Sequence, residues 1–463
     1  MTKLLQVVSP IDGSVYVERE LATHQVILAA VSKADEAQRV WRNTPLGERI
    51  AIGRRAIEQF SAKEAELAEE LCWMMGRPIR YAAGEIRGVV ERASYMADIA
   101  EQALADIHLP DKPGFTRFIR REPLGVALVI APWNYPYLTA INAVMPALLS
   151  GNAVLLKHSA QTPLCAERLV AAFASAGLPD GVFQFLHMSH GETEQLIQSP
   201  AIKHVAFTGS VPGGAMVERA AAGRFISVGL ELGGKDPAYV RADADVAQAV
   251  DACMDGAFFN SGQSCCGIER LYVHQDIYDD FVEQAVALVK GYRLGRSDDP
   301  ESTLGPLVRP EAADFVRHQI SDAIAQGAIA HIDATDFPLD RPGSAYLAPQ
   351  ILTEVHHGMR VMVEESFGPV IGIQKVSGDA EALELMNDSD FGLTAALFSR
   401  DTQAALALAD QIEAGTVFLN RCDYLDPALA WTGIKNSGRG CTLSGIGYEH
   451  LTRPKSFHFK TQL

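Results

Sequence analysis

From Pro123 onward, short β-branched apolar runs alternate with helix-length segments. They are GVALVIA at 125–131, AVLLK at 153–157, GVFQFL at 181–186, HVAFT at 204–208 and FISVGLEL at 225–232. Runs that are apolar throughout are strands covered on both faces, and spacers of this length accommodate right-handed helical crossovers. The pattern predicts a doubly wound parallel α/β domain. A second set follows, with AYV at 238–240, RLYVH at 270–274, VIGIQKV at 370–376, AALFS at 395–399 and GTVFLN at 415–420, so two α/β domains share the chain. Ahead of them, Thr23 to Ala105 has helical spacing with breaks near Pro45 and Gly76-Arg77-Pro78. The alternating, half-polar segment ending at Arg121 reads as a strand outside the main cores. The C-terminal KSFHFKTQL reads as an extended tail that pairs with it or with a neighbouring subunit.

Composition removes several function classes. The 463 residues carry a net charge of −17, which opposes phosphate backbones and anionic lipid, so no nucleic-acid or membrane partner is expected. Residues 123–156 lack charged side chains, yet Pro132, Pro136, Pro146, Asn134, Asn142 and Asn152 interrupt any membrane span. MTKLLQVVSPIDG lacks the apolar core of a secretory signal. Seven cysteines without a C-x-x-C pair indicate neither a disulfide framework nor a zinc ribbon, so a reducing cytoplasm is the expected setting. His187 and His190 have no third ligand nearby in sequence, and no metal is expected.

Several residues are of types that carry chemistry. Cys265, with Cys266 beside it, follows a Gly-bearing turn, where a thiol near backbone N–H groups becomes a strong nucleophile; a buried structural pair is the plain alternative. Glu231 ends a buried strand, where ligands collect in parallel sheets and desolvation lifts a carboxylate toward general-base duty; a helix cap is its alternative. Asn134, fixed between Pro132 and Pro136, is either an oxyanion donor or a turn former. The turn from Thr208 through Gly209, Ser210, Gly213 and Gly214 opens a helix and suits a pyrophosphate, although it is no G-x-G-x-x-G. Lys157 ends a strand and would hold ribose hydroxyls or extend to the surface.

Taken in order, PWNYP at 132–136, Lys157 with Thr162-Pro163, FTGS at 207–210, ELGGK at 231–235, FFNSGQSC at 258–265, EESFGP at 364–369, GTVFLN at 415–420 and GIKNSG at 433–438 resemble the aldehyde dehydrogenase superfamily over nearly the whole chain. The resemblance implies an aldehyde dehydrogenase-like α/β fold, two doubly wound domains with a small β oligomerisation flap, assembled as a homodimer or homotetramer. It implies a cofactor-binding unit of residues 1–105 and 123–232, a catalytic unit of 233–440, and oligomerisation segments 106–122 and 441–463. It further implies Cys265 as nucleophile, Glu231 as general base and Asn134 as oxyanion donor, with NAD or NADP held by Pro132, Trp133, Lys157, Gly209, Ser210, Gly213, Gly214, Leu232, Glu365 and Phe367. The implied reaction takes an aldehyde to a carboxylic acid through a Cys265 thiohemiacetal and thioester.

The departures bear on specificity. Lys157-His158-Ser159-Ala160 places no carboxylate three residues after the lysine to repel a 2′-phosphate, so NADP is expected to be accepted. GSVPGG stands for the usual GSTxxG, and Ala430-Trp431-Thr432-Gly433 for Pro-Phe-Gly-Gly. The funnel implied by the resemblance contains Tyr135, Leu138, Asn142, Ser264, Cys266, Asp423 and Trp431. These positions hold no arginine, which argues against a carboxylate-bearing semialdehyde, while Asp423, Tyr424, Asp426 and Trp431 suit an amino aldehyde alongside simple aliphatic ones. A CoA-acylating semialdehyde dehydrogenase is the near alternative, disfavoured by Glu231. A non-catalytic structural or binding member of the fold is the distant one, disfavoured because Cys265, Glu231 and Asn134 all stand.

Overall fold

The computed structural model describes residues 3–462. Four helices, His24–Trp41, Leu46–Ser61, Glu64–Met75 and Ile79–Ala103, form the lead-in. Thr23 caps the first by accepting from the Val26 N–H, and Gly76 ends the third in the left-handed conformation at φ 84°. Ahead of them Leu4–Val8 and Val15–Glu20 pair as an antiparallel hairpin. This hairpin is absent from the sequence expectation, because two short strands with only Leu5, Val7 and Val17 facing inward barely differ from a polar arm.

The first sheet runs Gly438–Arg439, Ser227–Glu231, Ile202–Thr208, Val126–Ala131, Ala153–His158, Phe183–Phe185, and is parallel apart from its first strand. Every residue of Val126–Ala131 and Ala153–His158 is buried, as both faces are covered by helices. Each fully buried Val or Leu there contributes about 1.5–3 kcal/mol. Chain order reverses between Val126–Ala131 and Ile202–Thr208, which opens a crevice at their carboxyl ends. Helix Pro136–Leu149 follows one of these ends and helix Val211–Ala221 the other.

The second sheet runs Ile329–Ala330, Gln350–Thr353, Val370–Val376, Ile268–His274, Asp236–Val240, Thr394–Phe398, Thr416–Leu419. Its five expected strands are present. Gln350–Thr353 and Ile329–Ala330 are additional, too short for a periodic signal, and the outer one is antiparallel. The two sheets present opposite edges to the site. Ala131, Thr208 and Glu231 lie at carboxyl ends of the first, whereas Lys235, Cys265, Phe367 and Leu393 lead into amino ends of the second.

A third sheet stands apart. Thr452–Lys460 pairs antiparallel with Phe115–Pro123, with Phe457 opposite Phe118, and Ile107–His108 pairs on the other side. The Phe118 and Phe457 rings stack at 4.4 Å, with the Arg120 guanidinium 5.1 Å from each. Among the described residues no helix is long and apolar enough to cross a membrane.

Candidate active site

The loop ahead of Cys265 is held in an unusual conformation. Asn260 and Ser261 both have φ of 55°, and Gly262 has φ 73°. A Cβ on Gly262 would lie 2.2 Å from the Gly368 carbonyl oxygen, so only glycine fits. Two successive left-handed residues cost roughly 1–2 kcal/mol each and need their surroundings to hold them. Asn260 Nδ2 donates to the Gln263 carbonyl (3.1 Å), Gln263 Nε2 donates back to the Asn260 carbonyl (3.1 Å), and Ser261 Oγ donates to the Gly305 carbonyl (2.8 Å). Gln263 Oε1 accepts from the Val308 N–H at 2.8 Å.

This loop delivers Cys265 to the wall of a 450 Å³ cavity. Cys265 is half-buried, whereas Cys266 is buried and its Sγ donates to Asp423 Oδ1 at 2.9 Å. The hydrogen bond with Cys265, burial and the nearby Asp423 carboxylate push the Cys266 thiol well above its ordinary range, so Cys266 stays protonated. Asp423, at φ 48°, is itself pushed up to about 7 by burial, against the hydrogen bonds from Cys266 and Ser264.

Glu231 lines the same cavity. Thr208 Oγ1 donates to its Oε2 (2.9 Å) and Thr442 Oγ1 to its Oε1 (2.5 Å). Burial raises the carboxyl pKa, and the two hydroxyls and Arg92 oppose that shift. The helix-cap alternative does not hold, because neither oxygen accepts a helical N–H. Asn134 is buried and does not reach the lining; its Nδ2 donates to the Gln263 carbonyl at 3.3 Å, two residues before Cys265.

Of the expected funnel, Tyr135, Leu138, Asn142, Cys266, Asp423 and Trp431 line the cavity. Ser264 stands behind, with Oγ 3.4 Å from Asp423 Oδ1. The absence of arginine does not survive. Arg77, Arg87 and Arg92, all from the Gly76 turn and the helix Ile79–Ala103, also line the cavity. Arg77 is ion-paired with buried Glu85, and Arg87 lies 3.3 Å from Glu64. Arg92, only 9% exposed, has no ion-pair partner among the described residues, and its Nη1 donates to Asn142 Oδ1 at 3.2 Å. A carboxylate-bearing aldehyde is therefore no longer disfavoured, while Asp423, Tyr424 and Trp431, which suited an amino aldehyde, also line the cavity. A charge-bearing residue inside the apolar stretch before Pro78 was the sequence signal for Arg77; Arg92 gave none.

The other expected residues gather beyond Glu231, around the crevice of the first sheet. Lys157 is buried with neither hydrogen-bond acceptor nor ion-pair partner among the described residues, and burial alone lowers its pKa. Ser210 Oγ accepts from the Gly213 N–H at the start of helix Val211–Ala221. Cβ atoms on Gly213 and Gly214 would lie 2.7 Å from the Phe207 ring and the Leu232 side chain, so glycine lets the helix start close on the strand ends without displacing either side chain. Trp133 and Phe367 meet edge to face at 5.6 Å. Phe367 adopts φ 51°, held by its N–H donating to Glu269 Oε1 (2.9 Å), while Lys235 Nζ pairs with Glu269 Oε2 (2.6 Å). Glu365 accepts from the Gly234 N–H (3.1 Å), and burial pushes it up to about 8. An unpartnered buried ammonium, a half-free carboxyl and a glycine-tight helix N-terminus are the donor set that ribose hydroxyls and a pyrophosphate require. His158 turns inward, its Nε2 3.1 Å from the Pro136 carbonyl, and burial lowers it to about 3.

Two doubly wound sheets, the carboxyl ends of one and the amino ends of the other facing the site, with a crevice on one side and a thiol-bearing cavity on the other, define an α/β protein of the dinucleotide-enzyme type. Known proteins narrow this further. Residues 1–457 match the model of the aldehyde dehydrogenase family, and the chain belongs to that family. It is 34% identical over 451 residues to a succinate-semialdehyde dehydrogenase [NADP(+)] 1 of Mycobacterium tuberculosis, covering 97% of this chain and 98% of that protein. It is 36% identical over 429 residues to a succinate-semialdehyde dehydrogenase [NADP(+)] of Deinococcus radiodurans, covering 93% and 89%. The solved succinic semialdehyde dehydrogenase from Streptococcus pyogenes, in complex with NADP+, superposes with a TM-score of 0.94 at 30% identity, covering 98% of this chain and 100% of that one. The protein is an oxidoreductase that acts on an aldehyde with NAD or NADP as acceptor.

Proposed function

We propose that the substrate is a short aldehyde bearing a carboxylate, of the succinate-semialdehyde type, oxidised to the free acid through Cys265 and Glu231. The observation that carries this reading is Arg92, a buried guanidinium on the wall of the cavity that also holds Cys265 and Glu231. A cation so placed has free donors for a carboxylate, and the pairing is strong where water is excluded. The names of the relatives agree with it. Asp423, engaged with Cys266 and Ser264, is less free to pair with an ammonium.

Cys265 Sγ adds to the aldehyde carbon, and the Cys265 N–H meets the oxyanion; Asn134, behind the cavity wall with one Nδ2 N–H committed to Gln263, joins it only if its second N–H turns toward Cys265. Bound NAD or NADP supplies the hydride acceptor. Lys157 and Glu365 hold ribose hydroxyls, Gly209, Ser210, Gly213 and Gly214 accept the pyrophosphate, and Pro132, Trp133, Leu232 and Phe367 flank the remainder. Glu231 then takes a proton from water, whose oxygen attacks the thioester carbonyl. The C–S bond breaks and its electron pair returns to Cys265. Residues 1–105 and 123–232 serve as the cofactor unit, to whose sheet Gly438–Arg439 add an edge strand, and the rest of 233–440 as the catalytic unit. Thr452–Lys460, an edge strand beside Phe115–Pro123, is the edge a second copy would meet in a dimer or tetramer, whereas residues 441–451 pack beside Glu231 and in the first domain's core. Seven cysteines, all free, suit a cytoplasmic setting.

The test is product analysis. Succinic semialdehyde and NADP+ without CoA should yield free succinate in step with NADPH. NADPH formation that depends on CoA would overturn the hydrolytic reading.

A further inference from the structure

Glu231 lies between two cavities. One is the substrate cavity; the other, about 30 Å³, is lined by Glu231, Thr208 and Thr442 together with His204, Arg439 and His450. A space of ~10–15 Å³ with two or more polar partners is enough for one water, so this cavity, mostly apolar apart from these side chains, has room for about two. Its outer end is marked by His450 and Arg439, both exposed, the latter paired with Glu218. Thr442 belongs to the second cavity alone, and its hydroxyl makes the shorter of the two hydrogen bonds to the Glu231 carboxylate. Its backbone is fixed by reciprocal hydrogen bonds with Trp431, at 2.9 and 3.0 Å.

We propose that the proton Glu231 takes from the hydrolytic water leaves on the side away from the substrate, over the Thr442 hydroxyl and water in the second cavity, to solvent between His450 and Arg439. The inference rests on Glu231 being the base. The transfer balances: protonated Oε1 donates to Thr442 Oγ1 as the Thr442 proton passes to cavity water, and that water gives a proton to bulk. Thr442 and Glu231 end as they began. On the substrate side the Arg92 cation opposes a departing proton, while the Asp423, Asp255 and Glu91 carboxyls that also line that cavity are the competing acceptors. On the far side the facing titratable groups are His204, Cys441, Arg439 and His450. Burial holds His204 down to about 4 and Cys441 up to about 11, so both are neutral near pH 7. The Arg439 charge is offset by Glu218.

The experiment is rapid-mixing and steady-state kinetics of Thr442→Val, which keeps the shape and removes the hydroxyl, with Thr442→Ser as the conservative control. Thr442→Val should show an NADPH burst of wild-type rate followed by steady-state turnover at least tenfold slower, with the slow phase accelerated by small buffer acids and bases and restored by Thr442→Ser. Wild-type turnover and pH profile in Thr442→Val, or a loss borne equally by the burst, would overturn the exit path. Glu231→Gln separates the two ideas: if it still hydrolyses the thioester, the reading of Glu231 as base has failed, independently of the path.

Discussion

Arg77 and Glu85 form an ion pair in the interior, their side chains 2% and 0% exposed. Arg77 also reaches Asn260 Oδ1 and the Asn134 carbonyl, and Glu85 Oε1 accepts the N–H groups of Tyr137 (2.7 Å) and Leu138 (3.2 Å). One pair thereby ties the Cys265 loop, the Asn134 turn and the start of helix Pro136–Leu149. Removing one charge leaves the other buried and alone, so Glu85→Gln should lower stability by about 3–5 kcal/mol. Thermal unfolding checks this, and an unchanged Tm would contradict it.

Arg92 bears on selectivity. Arg92→Met should lower kcat/KM for succinic semialdehyde by about 30- to 100-fold, the loss of roughly 2–3 kcal/mol in charge-assisted hydrogen bonds. Turnover of butanal should stay within about threefold of wild type if the effect is confined to the carboxylate. Equal losses on both aldehydes, or better turnover of 4-aminobutanal than of succinic semialdehyde by the wild type, would reject the clamp.

No acid follows Lys157 where it would repel a 2′-phosphate, since Ala160 is exposed and His158 turns inward. NADP+ should therefore be used. The ratio of kcat/KM for the two cofactors decides it, and a preference for NAD+ above a thousandfold would be inconsistent.

His158 sets a pH dependence of stability. Its folded pKa, lowered from 6.5 to about 3 by burial, means the unfolded chain binds a proton that the folded chain refuses. The stability it confers is complete above pH 6.5 and is lost as the pH falls from there toward 3. At pH 5.5 the loss should be about 1.4 kcal/mol relative to neutral pH. Comparing Tm at pH 7.5 and 5.5 for wild type and His158→Gln should show a smaller drop in the variant, and equal drops would count against it.

Cys265 and Glu231 were legible because each sits in a contiguous run whose neighbours set its position: the Gly262 turn for one, the strand end before Gly233 for the other. The alternation of apolar runs likewise gave both sheets. Arg92 was hidden because helix Ile79–Ala103 carries Glu and Arg at many positions, and only its packing against Pro136–Leu149 decides which of them is buried. The second face of Glu231 was hidden for a similar reason. Thr442 lies 211 residues away in sequence and comes close through the short antiparallel pairing of Gly438–Arg439 with Leu230 and Glu231.

The central claim is that Cys265 carries the acyl group while Glu231 frees it. Intact-mass and peptide mass spectrometry of Glu231→Gln, mixed with succinic semialdehyde and NADP+, tests it most directly. The account expects one acyl adduct per chain, on Cys265, formed with a single equivalent of NADPH. An adduct on Cys266 or elsewhere, or continued turnover in Cys265→Ser, would contradict it.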